Sequence, residues 1–238
     1  MIQYEWSHRA KRREIVKHVQ SALESSSDQE FDDEELEKLL DVQWDEMFDT
    51  VCDPPIQHQK CLQAVWELFH TELIFLHKQL LVLRNVYKEP LKRCQVEGCL
   101  LTVEPDLLFG NLDQLCRISR GFCKSFLTIM NDISKRQEEL EVQQPERQCL
   151  CKAENVDSDQ LDEHRGSTVA DPFFDTTELI VRLFEKFSKG PSTISAYQAY
   201  CINYKATMEY LGSIRQKEER FNEFERVTCL LIGSLQSI

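Results

Sequence analysis

Leu62, Trp66, Phe69, Leu73, Leu76, Leu80, Leu83 and Tyr87 follow one another at separations of 4-3-4-3-4-3-4. A stripe kept over that length fits a helix, because strands alternate with period 2 and turns break the pattern. It also demands partners, since an apolar stripe is hidden only against other elements. Pro90 and Gly98 are expected to end it. Leu108, Leu112, Leu115, Ser119, Phe122, Phe126, Ile129 and Ile133 repeat the alternation, after Pro105 at a plausible first-turn position. Thr176, Ile180, Leu183 and Phe187 form a third stripe, closed by Gly190-Pro191. Ile194, Tyr197, Cys201, Tyr204, Met208 and Leu211 form a fourth. The expected fold is all-α, an elongated antiparallel helical bundle whose stripes bury one another.

Charge divides the chain. Its formal net charge is -13, the wrong sign for a protein that tracks a phosphate backbone, so no nucleic-acid partner is expected. Residues 24–50 hold twelve acids and one lysine, and residues 138–165 nine acids and three bases. With those two segments set aside the remainder carries about +4. The acidity reads as solvated linker. Within the first segment Leu36, Leu40, Trp44 and Phe48 still recur every four residues, and residues 8–23 read as a basic helix. Pro54-Pro55 closes that region. Residues 1–56 are therefore expected as an acidic helical or linker extension. Residues 57–238 are expected as the main domain, with a disordered insert at 141–170 that is nearly devoid of large apolar groups.

Signatures of bond-making chemistry are sparse. No glycine-rich phosphate loop occurs, and no cofactor is expected. Cys149 and Cys151 lack a second pair at zinc-ligand spacing, and His70 and His77, two turns apart, read as ordinary partly buried or surface histidines; no metal site is expected. Cys61, Cys116, Cys123 and Cys201 sit among apolar neighbours, as reduced core thiols do. No apolar run is long enough to span a membrane, and the N-terminus lacks the apolar region of a secretory signal. A cytoplasmic protein is expected.

One helix carries more than its core stripe needs. Leu68, Glu72, Phe75, Gln79 and Val82 form a second face on the first long helix, largely apolar around a lone carboxylate. A second apolar face of that kind suggests a partner surface; the plainer reading is a more deeply buried helix.

Trp66 to Leu80, W-E-L-F-H-T-E-L-I-F-L-H-K-Q-L, resembles the first conserved region of the Dbl-homology domain of Rho-family guanine-nucleotide exchange factors, roughly E-L-x-x-T-E-x-x-Y-x-x-x-L. Glu67, Leu68, Thr71, Glu72 and Leu76 match it, and Phe75 replaces the usual Tyr. Leu108 to Leu115 resembles the second region, F-x-N-I-E-E-I. Tyr197-x-x-Tyr200-Cys201-x-Asn203-Tyr204-x-Ala206 is similar to the Y-x-x-Y-C-x-N-Y-x-x-A signature, with Ala one place early, and Phe221-x-x-Phe224 fits the segment that follows. The wording around Trp66 and Phe109 is closest to the pleckstrin-homology-domain-containing family G of these factors. The resemblance implies that the chain promotes GDP release from a Rho-family small GTPase. Glu72 would then be the catalytic group that pulls switch I off the nucleotide, with Leu68, Thr71, Phe75 and Gln79 in the GTPase contact. Nucleotide and magnesium belong to that partner.

The resemblance covers residues 57–226. The family's third conserved helix, P-x-Q-R-x-x-R-Y, has no match in the sequence. The bundle is accordingly expected to be Dbl-homology-like but incomplete at its C-terminus and a poor exchange factor, with the helix faces at 62–87 and 194–211 left open to self-association. The alternatives are a catalytically inactive truncated isoform acting as a GTPase-binding or regulatory module, and an unrelated helical scaffold.

Overall fold

The structure, a computed structural model, describes residues 12–17, 19–21, 33–48, 55–143, 174–188 and 191–235. Every regular element among them is helical. Two short helices, α1 (Glu34–Lys38) and α2 (Trp44–Met47), precede α3 (Ile56–Ile74). The chain continues from α3 through two π-helical stretches, Phe75–Leu80 and Leu83–Lys88, into α4 (Glu89–Val96). Then come α5 (Pro105–Phe109), α6 (Leu112–Gln143), α7 (Thr176–Ser188), α8 (Pro191–Lys217) and α9 (Glu219–Leu235). The all-α expectation holds, and side-chain pairs give the directions. Phe69 stacks on Phe126 with ring centroids 4.5 Å apart, while Arg84 reaches back to Asp113 at the start of α6. The first two long helices are therefore antiparallel. Phe122 meets Phe187 and Arg136 meets Glu178, so α7 runs antiparallel to α6 in turn.

The first stripe is buried from Leu62 to Leu80 and then departs from its spacing. Leu83 is exposed and Tyr87 half-buried, whereas Arg84 and Lys88 turn inward at 6% and 4% exposure. The cause is the backbone. Bonds of the i→i+5 kind put more residues into each turn, so a face held at 4-3 spacing in an α-helix is held at 4-4 spacing here. The inward positions accordingly become Leu76, Leu80, Arg84 and Lys88. Pro90 does not end the helix. It stands in the first turn of α4, directly after a π-helical stretch that already departs from the i→i−4 ladder, so its missing N–H costs little. Gly98 does end it. At φ +82° it lets Cys99 N–H reach Cys94 O at 2.7 Å and its own N–H reach Gln95 O at 2.9 Å, the paired bonds of a left-handed helix terminus.

In the second stripe Leu112, Leu115, Ser119, Phe126, Ile129 and Ile133 are buried and Leu108 and Phe122 half-buried. Gly110, at φ +49°, breaks that stretch, so Pro105 heads a helix of its own. Two cores result. The larger joins α3, α6 and α7 through Phe69, Leu73, Phe126 and Leu183, and takes in Leu36 and Phe48. The smaller gathers Leu91, Cys94, Val103, Ile214, Phe221 and Phe224, and is closed by Ile15 and Val19 from the helical residues 12–17 and 19–21.

The acidic segment 33–48 packs onto the larger core while Glu34, Glu35, Glu37, Asp41, Asp45 and Glu46 face solvent. Asp33 ties it down, with Arg120 at 3.1 Å and Lys124 at 2.7 Å. Burial pushes the Asp33 carboxyl up, but Lys124 and Arg120 outweigh that and hold it below its usual range. Of the insert expected at 141–170, the first three residues belong to α6, which runs to Gln143. Residues 144–173, with Cys149 and Cys151, lie outside the described residues, as do residues 1–11. No helix among the described residues is long and apolar enough to cross a membrane.

Candidate functional site

Successive residues of an α-helix are turned by about 100°. Leu68, Glu72, Phe75 and Gln79 therefore lie to one side of the buried line Leu62–Phe69–Leu73–Leu76, and His70, Ile74 and His77 to the other. The structure makes the first group one continuous strip reaching solvent. Leu68 and Gln79 are exposed, Glu72 and Phe75 half-buried, and Phe75 rests on the larger core. Thr71 is exposed but sits further round, on the outermost side of α3. Phe75 also opens the π-helical stretch that holds Gln79, and single-turn stretches of this kind recur at functional sites.

The Glu72 carboxylate is felt on two further helices. Cys123 of α6 is fully buried, and burial followed by the Glu72 carboxylate pushes its thiol up to about 12. The Tyr197 phenol of α8 is likewise pushed up, by burial first and by Glu72 second. No cation or hydrogen-bond donor among the described residues is bonded to the Glu72 carboxylate itself. A carboxylate accepts hydrogen bonds and donates none, and Leu68 and Phe75 stand beside this one on the same side of α3. The spacing of the sequence picked out the residues of α3. It missed Cys123 and Tyr197 as their neighbours, which only the packing of α6 and α8 reveals.

The opposite side of α3 is occupied. His70 Nε2 lies 2.9 Å from Leu40 O and its ring stacks on Trp66. His77 is half-buried; burial pushes its pKa down, against the pull of Glu37 and Asp33. The segment of α1 and α2 thus lies on the histidine side and leaves the Glu72 side clear. No group of His, Cys, Asp or Glu among the described residues is arranged to hold a metal ion.

The fourth stripe is not buried as its pattern suggests. Ile194, Tyr197, Tyr204 and Met208 are 57%, 36%, 53% and 48% exposed, Cys201 is an exposed thiol and not a core one, and Leu211 is half-buried. The helix turns another side inward, with Ala196 and Ile214 buried and Thr207 and Tyr210 between them. Small Ala196 admits a close approach, and polar hooks fix the rotation: Asn111 Nδ2 donates to Ala196 O, Thr207 Oγ1 to Leu107 O, and Glu104 N–H to the Tyr210 hydroxyl. Of the two faces expected to lie open, that of α8 does, while the stripe of α3 is covered.

A family model described as the RhoGEF domain matches residues 64–229. The chain is 29% identical over 184 residues to human pleckstrin homology domain-containing family G member 7, a match covering 76% of this chain and 21% of the relative. It is 34% identical over 99 residues to rat pleckstrin homology domain-containing family G member 5, covering 41% of this chain and 9% of the relative. The chain thus spans about a fifth of the length of the first relative and less than a tenth of the second. No solved structure matches it.

Proposed function

The chain belongs to the RhoGEF domain family, and on that premise we propose that it promotes GDP release from a Rho-family small GTPase through the strip around Glu72. Exchange is catalysis by differential binding. A protein that holds the nucleotide-free GTPase more tightly than the loaded one lowers nucleotide affinity by the same factor. The observation that carries the reading is the Glu72 carboxylate, half-buried and unbonded among the described residues, at the centre of an exposed apolar strip. In this reading Leu68 and Phe75 make the apolar contact, Gln79 and Thr71 offer an amide and a hydroxyl at its border, and Glu72 displaces switch I from the nucleotide and its magnesium. The exchange domain spans residues 57–238, with residues 33–48 as a strap on its far side.

The test is release of fluorescent GDP from a panel of Rho-family GTPases. Truncating a central charged anchor costs about 2 kcal/mol, so Glu72→Ala should slow stimulated release about thirtyfold. Its stability should change by no more than about 0.5 kcal/mol, as for a group at the surface. Unchanged release, or extensive unfolding, would sink the assignment. A second reading is favoured by the confinement of the strip's polar groups to one helix: the chain binds the GTPase without accelerating release. Capture of nucleotide-free GTPase, lost in Glu72→Ala and accompanied by basal release, is its signature.

A further inference from the structure

The open side of α8 bears Ile194, Tyr197, Cys201, Tyr204 and Met208 in strict 4-3 alternation, ending at half-buried Leu211. A repeat of 3.5 residues keeps one stripe facing a single partner helix over several turns. The bundle already uses the side of Ala196 and Ile214 for its own packing. The exposed side is also nearly free of charge. Between Ser192 and Ile214 only Lys205 and Glu209 are charged, in a chain with 29% charged residues.

We propose that a second copy of this chain docks on the stripe, its α8 antiparallel to the first. The stripe is complementary to itself in that orientation. With a two-fold axis passing between Ile202 and Asn203, Ile194 of each copy meets Leu211 of the other, Tyr197 meets Met208, and Cys201 meets Tyr204. Charge agrees. Glu209 lies off the seam, 3.9 Å from Lys205 of its own helix. Lys205 flanks the seam and in this register lies beside the exposed Tyr200 of the other copy, a cation against an aromatic ring. No like charges confront each other across the contact. A half-exposed tyrosine contributes on the order of 100 Å², so the pair buries on the order of 1,000 Å², near the lower limit of specific interfaces. The dimer is accordingly weak and forms in the micromolar range. Because each chain carries a net charge of -13 while the contact is apolar, added salt screens the repulsion and strengthens the pairing.

Sedimentation equilibrium of the full chain, from low to high micromolar and at two salt concentrations, should show a monomer–dimer equilibrium that tightens with salt. Tyr204→Glu combined with Met208→Glu should weaken it at least about tenfold with unchanged helical circular dichroism, because both side chains are solvent-facing. A second measurement needs no variant. Maleimide labelling of Cys201 should slow as concentration rises, while labelling of Cys229, exposed on α9, should not. A chain monomeric throughout the range overturns the proposal, as does a dimer indifferent to the double substitution or concentration-independent labelling of Cys201.

Discussion

Asp113→Ala should lower the unfolding free energy by about 3 kcal/mol, a large part of the 5–15 kcal/mol that typically holds a domain together. The carboxylate receives Arg84 Nε at 3.1 Å and Lys88 Nζ at 2.5 Å. Both cations are buried, whereas Asp113 is about one-third exposed. Removing it leaves Lys88 without the anion it is bonded to, in a place where water cannot replace it. Burial raises the Asp113 pKa, but Lys88 and Arg84 outweigh burial and hold it below its usual range. A carboxyl depressed in the folded state stabilises the protein above its unfolded pKa, about 3.9, and ceases to do so as pH falls through the folded value. Chemical denaturation at neutral pH should therefore separate the native chain from Asp113→Ala widely. The gap should narrow below about pH 4, and an equal gap at both pH values would show that the pair is not what the substitution removes.

Phe69→Ala should cost about 3–5 kcal/mol and lower the thermal midpoint by many degrees. The ring is fully buried, stacks on Phe126 at 4.5 Å and touches Trp66 at 5.4 Å, so its loss opens a cavity where the first two long helices meet. Phe69→Leu, which fills most of the space, should retain the greater part of the stability. An alanine variant that melts with the native chain would mean that the two helices are not joined there.

These two residues show how far the sequence could be read. Phe69 belongs to a stripe whose spacing alone dictates an inward position, and the structure places it there. Asp113 and its cations were illegible, because Arg84 and Lys88 become inward positions only through the π-helical stretches before them. The widening of a turn is decided by the packing of the whole helix and leaves no periodic mark. The fourth stripe misled for a related reason. Periodicity says that Tyr197 to Met208 share a face, but Ala196, Thr207 and Tyr210 decide which face meets the bundle, through bonds to α5 and the α5–α6 corner. The Glu72 strip lies between these cases. Its α3 members were visible as a face, while Cys123 and Tyr197 stand 51 and 125 positions further along the chain and are gathered only by folding. Asp33 lies in a run whose composition reads as solvated, and Arg120 and Lys124, which anchor it, stand 87 and 91 positions further along the chain.

The two π-helical stretches also make the rod from Ile56 to Val96 a coupling with a built-in angular offset. The end bearing Glu72 and the end bearing Leu91 and Cys94 are set to different bearings about one axis, each matched to its own core. Such a rod tolerates changes of composition along its outer side far better than changes of length. Inserting one residue between Phe75 and Leu80 would swing everything beyond it by about 100°, bringing Leu83 and Tyr87 inward and casting Arg84 and Lys88 out. The distance between the Glu72 strip and the second core would barely alter, but their relative bearing would be lost, and with it the seat for α9.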